Sequence, residues 1–112
     1  MVRHIDAIEP MLTSHGAGLK KLLLNKDEIL DPVTQMAYTT LVCGTLVEKH
    51  VHPSMDEYFF VIEGKITFAI AQEIIVCEKG SFVRIVAGDI HSLQVDQDAV
   101  VFTIGIAIKT IE

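Results

Sequence analysis

The sequence predicts an all-β fold built of many short strands, and three observations lead there. Turn signals fall at short, fairly regular intervals, with Gly44, Gly64, Gly80, Gly88 and Gly105 marking where strands bulge, bend or turn. The stretches between them are rich in Val, Ile, Thr and aromatic residues, which fit a pleated, half-buried surface. Half of the 112 residues are apolar and 21% are charged, enough for one packed core and unlike a disordered chain. At this length one domain over residues 1–112 is expected, because domains of about 100–150 residues are the commonest size.

Along the chain, Met1 to Gly18 is irregular, with Pro10 and the Gly16, Gly18 pair, and reads as an arm or a short helix. In the next segment Leu19, Leu22, Leu23, Lys26, Ile29 and Leu30 nearly follow a helical period, while Leu22 to Leu24 equally fits a strand; a strand is expected. Met36 to Val51 is rich in Thr, Val and Leu, and Glu57 to Ile62 in aromatic and β-branched residues. Ile66 to Cys77 reads as two strands joined near Gln72 and Glu73. Ser81 to Val86, His91 to Val95 and Val100 to Ile108 complete the set, and residues 36–108 form the expected core.

Several classes are disfavoured. The apolar run from Ala99 to Ile108 is about half the ~20 residues that a membrane-spanning helix needs, so it reads as a buried strand. Met1 to Pro10 carries Asp6 and Glu9 and no apolar signal core, which makes the cytoplasm the expected compartment. Fifteen acidic against nine basic residues give a net charge of -6, and Lys20, Lys21 and Lys26 are the one loose basic cluster, so a nucleic-acid partner is not expected. Cys43 and Cys77 lack close ligand spacing and are read as small buried hydrophobes.

Chemistry concentrates in one constellation. His50 and His52 are two apart on a predicted strand, so both imidazoles project from one face. Pro53 cannot donate to a ladder; the strand should break there and turn across Ser54 and Met55. Glu57 then opens the next strand, where its carboxylate returns beside the two rings and adds a hard oxygen to two borderline nitrogens. His91, after Gly88 and Asp89 at the head of another predicted strand, is a fourth candidate. Three neutral imidazoles and one carboxylate would leave a divalent ion with residual positive charge and open positions.

These residues stand at a familiar spacing. Gly44, five residues, His50, one residue, His52, four residues, Glu57, six residues and Gly64 resemble the first motif of the cupin superfamily throughout. After fifteen intervening residues Gly80, Gly88 and His91 resemble part of the second motif, with Val86 where proline is usual and Val95 where asparagine is common. Neither departure touches a ligand position. The chain is thus similar to the small single-domain members of the cupin 2 type. The resemblance covers about Met36 to Ile108 and implies a double-stranded β-helix, a jelly-roll-like antiparallel barrel with the site inside. It implies one metal ion on His50, His52, Glu57 and His91, with Fe, Mn, Ni, Co and Zn all compatible with such a ligand set. It also implies a homodimer and a small-molecule substrate or ligand.

Met55, Phe59, Phe68 and Leu93 are expected to line the pocket, Phe59 because it shares a face with Glu57; core packing explains Phe68 and Leu93 equally well. His4 and His15 are read as solvated, Asp89 as a turn residue and Arg84 as exposed. Two functions remain open. One is a metal-dependent enzyme of dioxygenase, isomerase or lyase type, for which no acid or base beyond the ligands can be named. The other is a non-catalytic module that binds or senses a sugar or carboxylate. Fold and ligand set do not choose between them.

Overall fold

A computed structural model describes residues 3–28 and 32–108. Eight strands occupy most of that length: β1 (Met11–Leu12), β2 (Leu19–Leu24), β3 (Val33–Leu41), β4 (Leu46–His50), β5 (Met55–Ile70), β6 (Glu73–Glu78), β7 (Phe82–Ile85) and β8 (His91–Ala107). All pairings are antiparallel. No helix among the described residues is long and apolar enough to cross a membrane.

The architecture follows from two long strands. In its first half β5 lies between β7 and the second half of β8; in its second half it lies between β6 and the first half of β8. Strand β8 likewise pairs with β4 through residues 91–94 and with β3 through residues 99–106. One sheet therefore runs β1-β2-β3-β8-β5-β7 and the other β4-β8-β5-β6, the two sharing their central strands. This is a double-stranded β-helix.

The bend between the sheets is a backbone event. The β5–β8 register slips between Val61 and Ile66, where Gly64 has φ +88° and lies against the Asp98 carbonyl and the Ala99 backbone. A side chain at 64 would meet both, and only glycine tolerates that φ at no steric cost. The sequence expectation of separate strands at 57–62 and 66–70, and at 91–95 and 100–108, is corrected here. Each pair is one strand, because the ladder continues through the bulges although the alternation of side chains does not.

Other expectations resolve similarly. Residues 36–51 hold two strands, parted by a turn at 42–45 that is pinned when Cys43 N–H donates to Asp98 Oδ1 at 2.7 Å. That turn leaves Cys43 exposed, correcting its reading as a buried hydrophobe; Cys77 is buried as expected. Residues 19–24 form a strand, with Leu22 opposite Ala37, and a 3-10 turn follows at Lys26–Glu28. Ile29 and Leu30, which carried the rest of the helical period, lie outside the described residues, as do Met1 and Val2 of the arm. The arm itself is partly regular. A 3-10 turn at Ile5–Ala7 precedes β1, which pairs with β2 and extends the first sheet.

Inward-facing residues fill one part of the barrel completely. Val61, Ile66, Phe68, Ile85, Val95 and Val101 are essentially inaccessible. Burial of each such side chain contributes about 1.5–3 kcal/mol, so this packing fixes the frame on which the polar part of the interior is mounted.

Candidate metal centre

Three of the four predicted ligands arise from three neighbouring strands and the fourth from a connection between two of them. His50 ends β4 and lies opposite His91, the first residue of β8. Beyond His50 the chain leaves the ladder ahead of Pro53, so His52 lies in an extended connection rather than on the predicted strand. Its carbonyl there accepts the Gly88 N–H at 3.0 Å, which ties this connection to the β7–β8 turn. Glu57 is the third residue of β5 and faces inward, held between Ile85 and Gly105 by the ladder.

The rings converge. His50 and His91 have centroids 4.1 Å apart, His50 and His52 5.0 Å, and His52 and His91 5.3 Å. One ring nitrogen from each of the three lies within 4.8 Å of the others, so these histidines could hold a metal ion. Glu57 Oε1 stands 3.7 Å from both His52 Nε2 and His91 Nε2.

Tautomers are set by the backbone. His91 Nδ1 is 2.9 Å from the Asp89 carbonyl and His50 Nδ1 2.8 Å from that of Glu48; a carbonyl only accepts, so both Nδ1 atoms carry the proton. Each Nε2 then presents a bare lone pair to the centre, the arrangement that orients metal-bound histidines. His91 is only 2% exposed, and its Nε2 and that of His52 are buried with no hydrogen-bond partner among the described residues. A separation of 3.7 Å from Glu57 is too long for a hydrogen bond. It does suit two atoms sharing one ion, since bonds of about 2.1 Å set adjacent ligands about 3–4 Å apart. The donor set thus fits a divalent metal on the evidence of its own unpaired nitrogens.

Electrostatics separate the rings. Burial lowers the pKa of His52, with the neighbouring rings of His50 and His91 adding to the effect against Glu57. Burial also acts to lower that of His91, but Glu57 and Asp89 outweigh it and the net shift is upward.

Around this cluster lies a cavity of about 350 Å³, near the small end for ligand sites. Met55, Phe59 and Leu93 line it. Phe68 does not; it is fully buried behind the wall, its ring 5.2 Å from that of Phe59. Phe68 points inward as expected, but at a level of the barrel already filled by packing. Arg84 is exposed, because the inward positions of β7 are Val83 and Ile85.

Sequence reasoning missed the contribution of the N-terminal hairpin. His15 is exposed as expected, yet its ring centroid lies 4.4 Å from that of His50, and partial desolvation there lowers its pKa. Lys20 lines the same cavity. The available signals were the paired glycines at 16 and 18, which mark a turn, and the Lys20, Leu22, Leu24 alternation that follows.

Comparison with known proteins agrees with this fold. A family profile described as a cupin domain matches residues 37–105. No curated protein matches the chain. Among solved structures, a predicted oxalate decarboxylase from Thermotoga maritima is similar at a TM-score of 0.84 and 20% identity, covering 96% of this chain and 100% of that one. Ectoine synthase from P. lautus is similar at 0.83 and 16%, covering 98% and 80%. The polyketide cyclase RemF from Streptomyces resistomycificus is similar at 0.79 and 13%, covering 97% and 80%. At these identities the likeness concerns the fold. The matched span holds His50, His52, Glu57 and His91 within one barrel, and the chain belongs to the cupin domain family.

Proposed function

We propose that this protein is a metal-dependent enzyme of small-molecule chemistry that holds one divalent ion on His50, His52, Glu57 and His91. The observation that carries the reading is the pair of buried, unpartnered Nε2 atoms on His52 and His91, both facing one Glu57 oxygen. A buried polar atom without a partner costs about 1–3 kcal/mol, so a chain that keeps two of them side by side gains something from their vacant lone pairs.

The ion, when bound, would supply a Lewis-acid centre for a substrate oxygen. The chain does the rest. The Asp89 and Glu48 carbonyls hold the His91 and His50 rings in the tautomer that exposes Nε2. Phe59, Met55 and Leu93 make the adjoining wall apolar. Several structural relatives carry enzyme names, a predicted oxalate decarboxylase, ectoine synthase and a polyketide cyclase among them, which supports catalysis without choosing the reaction.

Elemental analysis of protein from its native host, followed by a substrate screen with the ion found, tests the reading. A single equivalent of Fe, Mn, Ni, Co or Zn per chain with turnover is the expected result. Saturable ligand binding without turnover would instead identify a sensing module. Absence of any tightly held divalent ion would refute the assignment.

A further inference from the structure

The cavity contains a cation that no carboxylate of the described residues neutralises. Lys20 lies on β2 directly opposite Thr39, a buried residue of the inner face that also lines the cavity. Since residues paired across a ladder point to the same side, Lys20 faces inward. Its Nζ donates to Gln35 Oε1 at 3.2 Å, a neutral acceptor, and no ion pair among the described residues includes it. A partly buried ammonium is disfavoured unless paired.

The hairpin that delivers Lys20 is built to stay in place. Thr13 Oγ1 donates to the Ala17 carbonyl at 2.7 Å and accepts the Ala17 N–H at 3.1 Å, while Gly16 N–H donates to the Thr13 carbonyl at 2.9 Å. Gly18 has φ +88° and lies so close to the Thr40 carbonyl that a Cβ would collide with it. The turn so fixed lays His15 against His50 at the cavity.

We propose that the cavity receives a small dicarboxylate, one carboxylate at the ion and the other on Lys20, with its hydrocarbon part against Phe59, Leu93 and Val47. This deepens the metal reading above and rests on it. Charge counting leads to a dianion: a divalent ion, the Glu57 carboxylate and the Lys20 ammonium leave two positive charges when the imidazoles are neutral. The apolar wall favours an organic dianion over inorganic phosphate, which would gain nothing from that surface.

The test is calorimetric titration of the metal-loaded protein with malonate, succinate and glutarate, with diols of matching length and inorganic phosphate as probes. At least one diacid is expected to bind saturably and its diol not to bind. Lys20→Met should weaken that diacid by about tenfold or more, as loss of a charge-assisted bond does, at unchanged metal content, and Lys20→Arg should recover most of it. Unchanged metal content also shows that the variant folds. If Lys20→Met binds the diacid as wild type does, or if diol or phosphate matches the best diacid, the inference fails while the metal reading stands. If the wild-type chain takes up no metal, the reading beneath it has failed, and the inference with it.

Discussion

His91 and His50 each commit one ring nitrogen to a carbonyl two residues upstream, so their metal-facing nitrogens are bare before any ion arrives. His91→Ala is therefore expected to weaken metal binding by more than the roughly 10–100-fold that loss of an outer-shell partner costs. Melting of the metal-free protein should change little, because the variant loses an unpaired buried nitrogen as well as packing. Equal metal content in variant and wild type would remove His91 from the ligand set. A different residue pair governs the N-terminal segment. Arg3 donates to Glu28 and to the Leu23 carbonyl, and the Arg3 guanidinium and the Asn25 N–H hold the Glu28 carboxyl below its ordinary value. A lowered folded pKa adds stability that is present above the unfolded carboxylate value and is lost as pH falls through the folded one. The hydrogen-exchange protection factor of the Ala7 amide, which donates to the His4 carbonyl, should accordingly fall in acid, and Glu28→Gln should abolish that pH dependence of protection. Residue-level legibility was uneven for a physical reason. His50, His52 and Glu57 stand within eight residues of one another across one strand break, and His91 heads a strand that Gly88 and Asp89 announce, whereas His15 and Lys20 reach the cavity only through the pairing of β2 with β3.

Strand β5 shows how far elements can be read from sequence. Its two halves were legible, since each has the composition of a strand, but their continuity was not, because Gly64 interrupts the pattern of side chains without interrupting the ladder. Strand β8 was divided for the same reason around Asp96 to Asp98. There the polar side chains have local tasks: Asp96 Oδ2 accepts from Thr67 Oγ1 at 2.6 Å, and Asp98 Oδ1 from the Cys43 N–H at 2.7 Å. They read as a loop because they are polar, yet they stitch a bend. At Gly64 a methyl group would meet the Asp98 carbonyl and the Ala99 backbone, neither of which can rotate away. Gly64→Ala is thus expected to destabilise by about 2 kcal/mol or more, lowering the melting temperature by roughly 10 °C. A loss below about 0.5 kcal/mol, within the range of neutral surface substitutions, would show that the bend tolerates a side chain and that the strain argument is wrong.

On the whole molecule, the outer surface of the first sheet departs from what a lone barrel requires. An antiparallel sheet with one face in water alternates apolar inward and polar outward. Here the outward positions of the central strands include Tyr58, Phe60, Phe102 and Ile104, with Tyr38 from β3 and Phe82 from β7 beside them in register. Phe60 is 44% and Phe82 63% exposed, and Tyr58 stacks on Phe82 with ring centroids 6.0 Å apart. The apolar run near the end of the chain that reads as a strand buried on both faces is the centre of this surface. We infer that a second copy of the chain covers it, since a twofold pair would lay the two aromatic rows against each other and remove them from water together. Sedimentation equilibrium should then report a species of twice the 12.4 kDa chain mass. The double variant Phe60→Lys, Phe82→Lys should shift it to the monomer, because both residues are exposed in the single chain and the added charges would face each other across the axis. Metal content should be unchanged in that monomer, because His50, His52, Glu57 and His91 line the cavity inside the barrel, away from that outer face. A wild-type chain that sediments as a monomer, or a double variant that still pairs, would mean that this surface is not the interface.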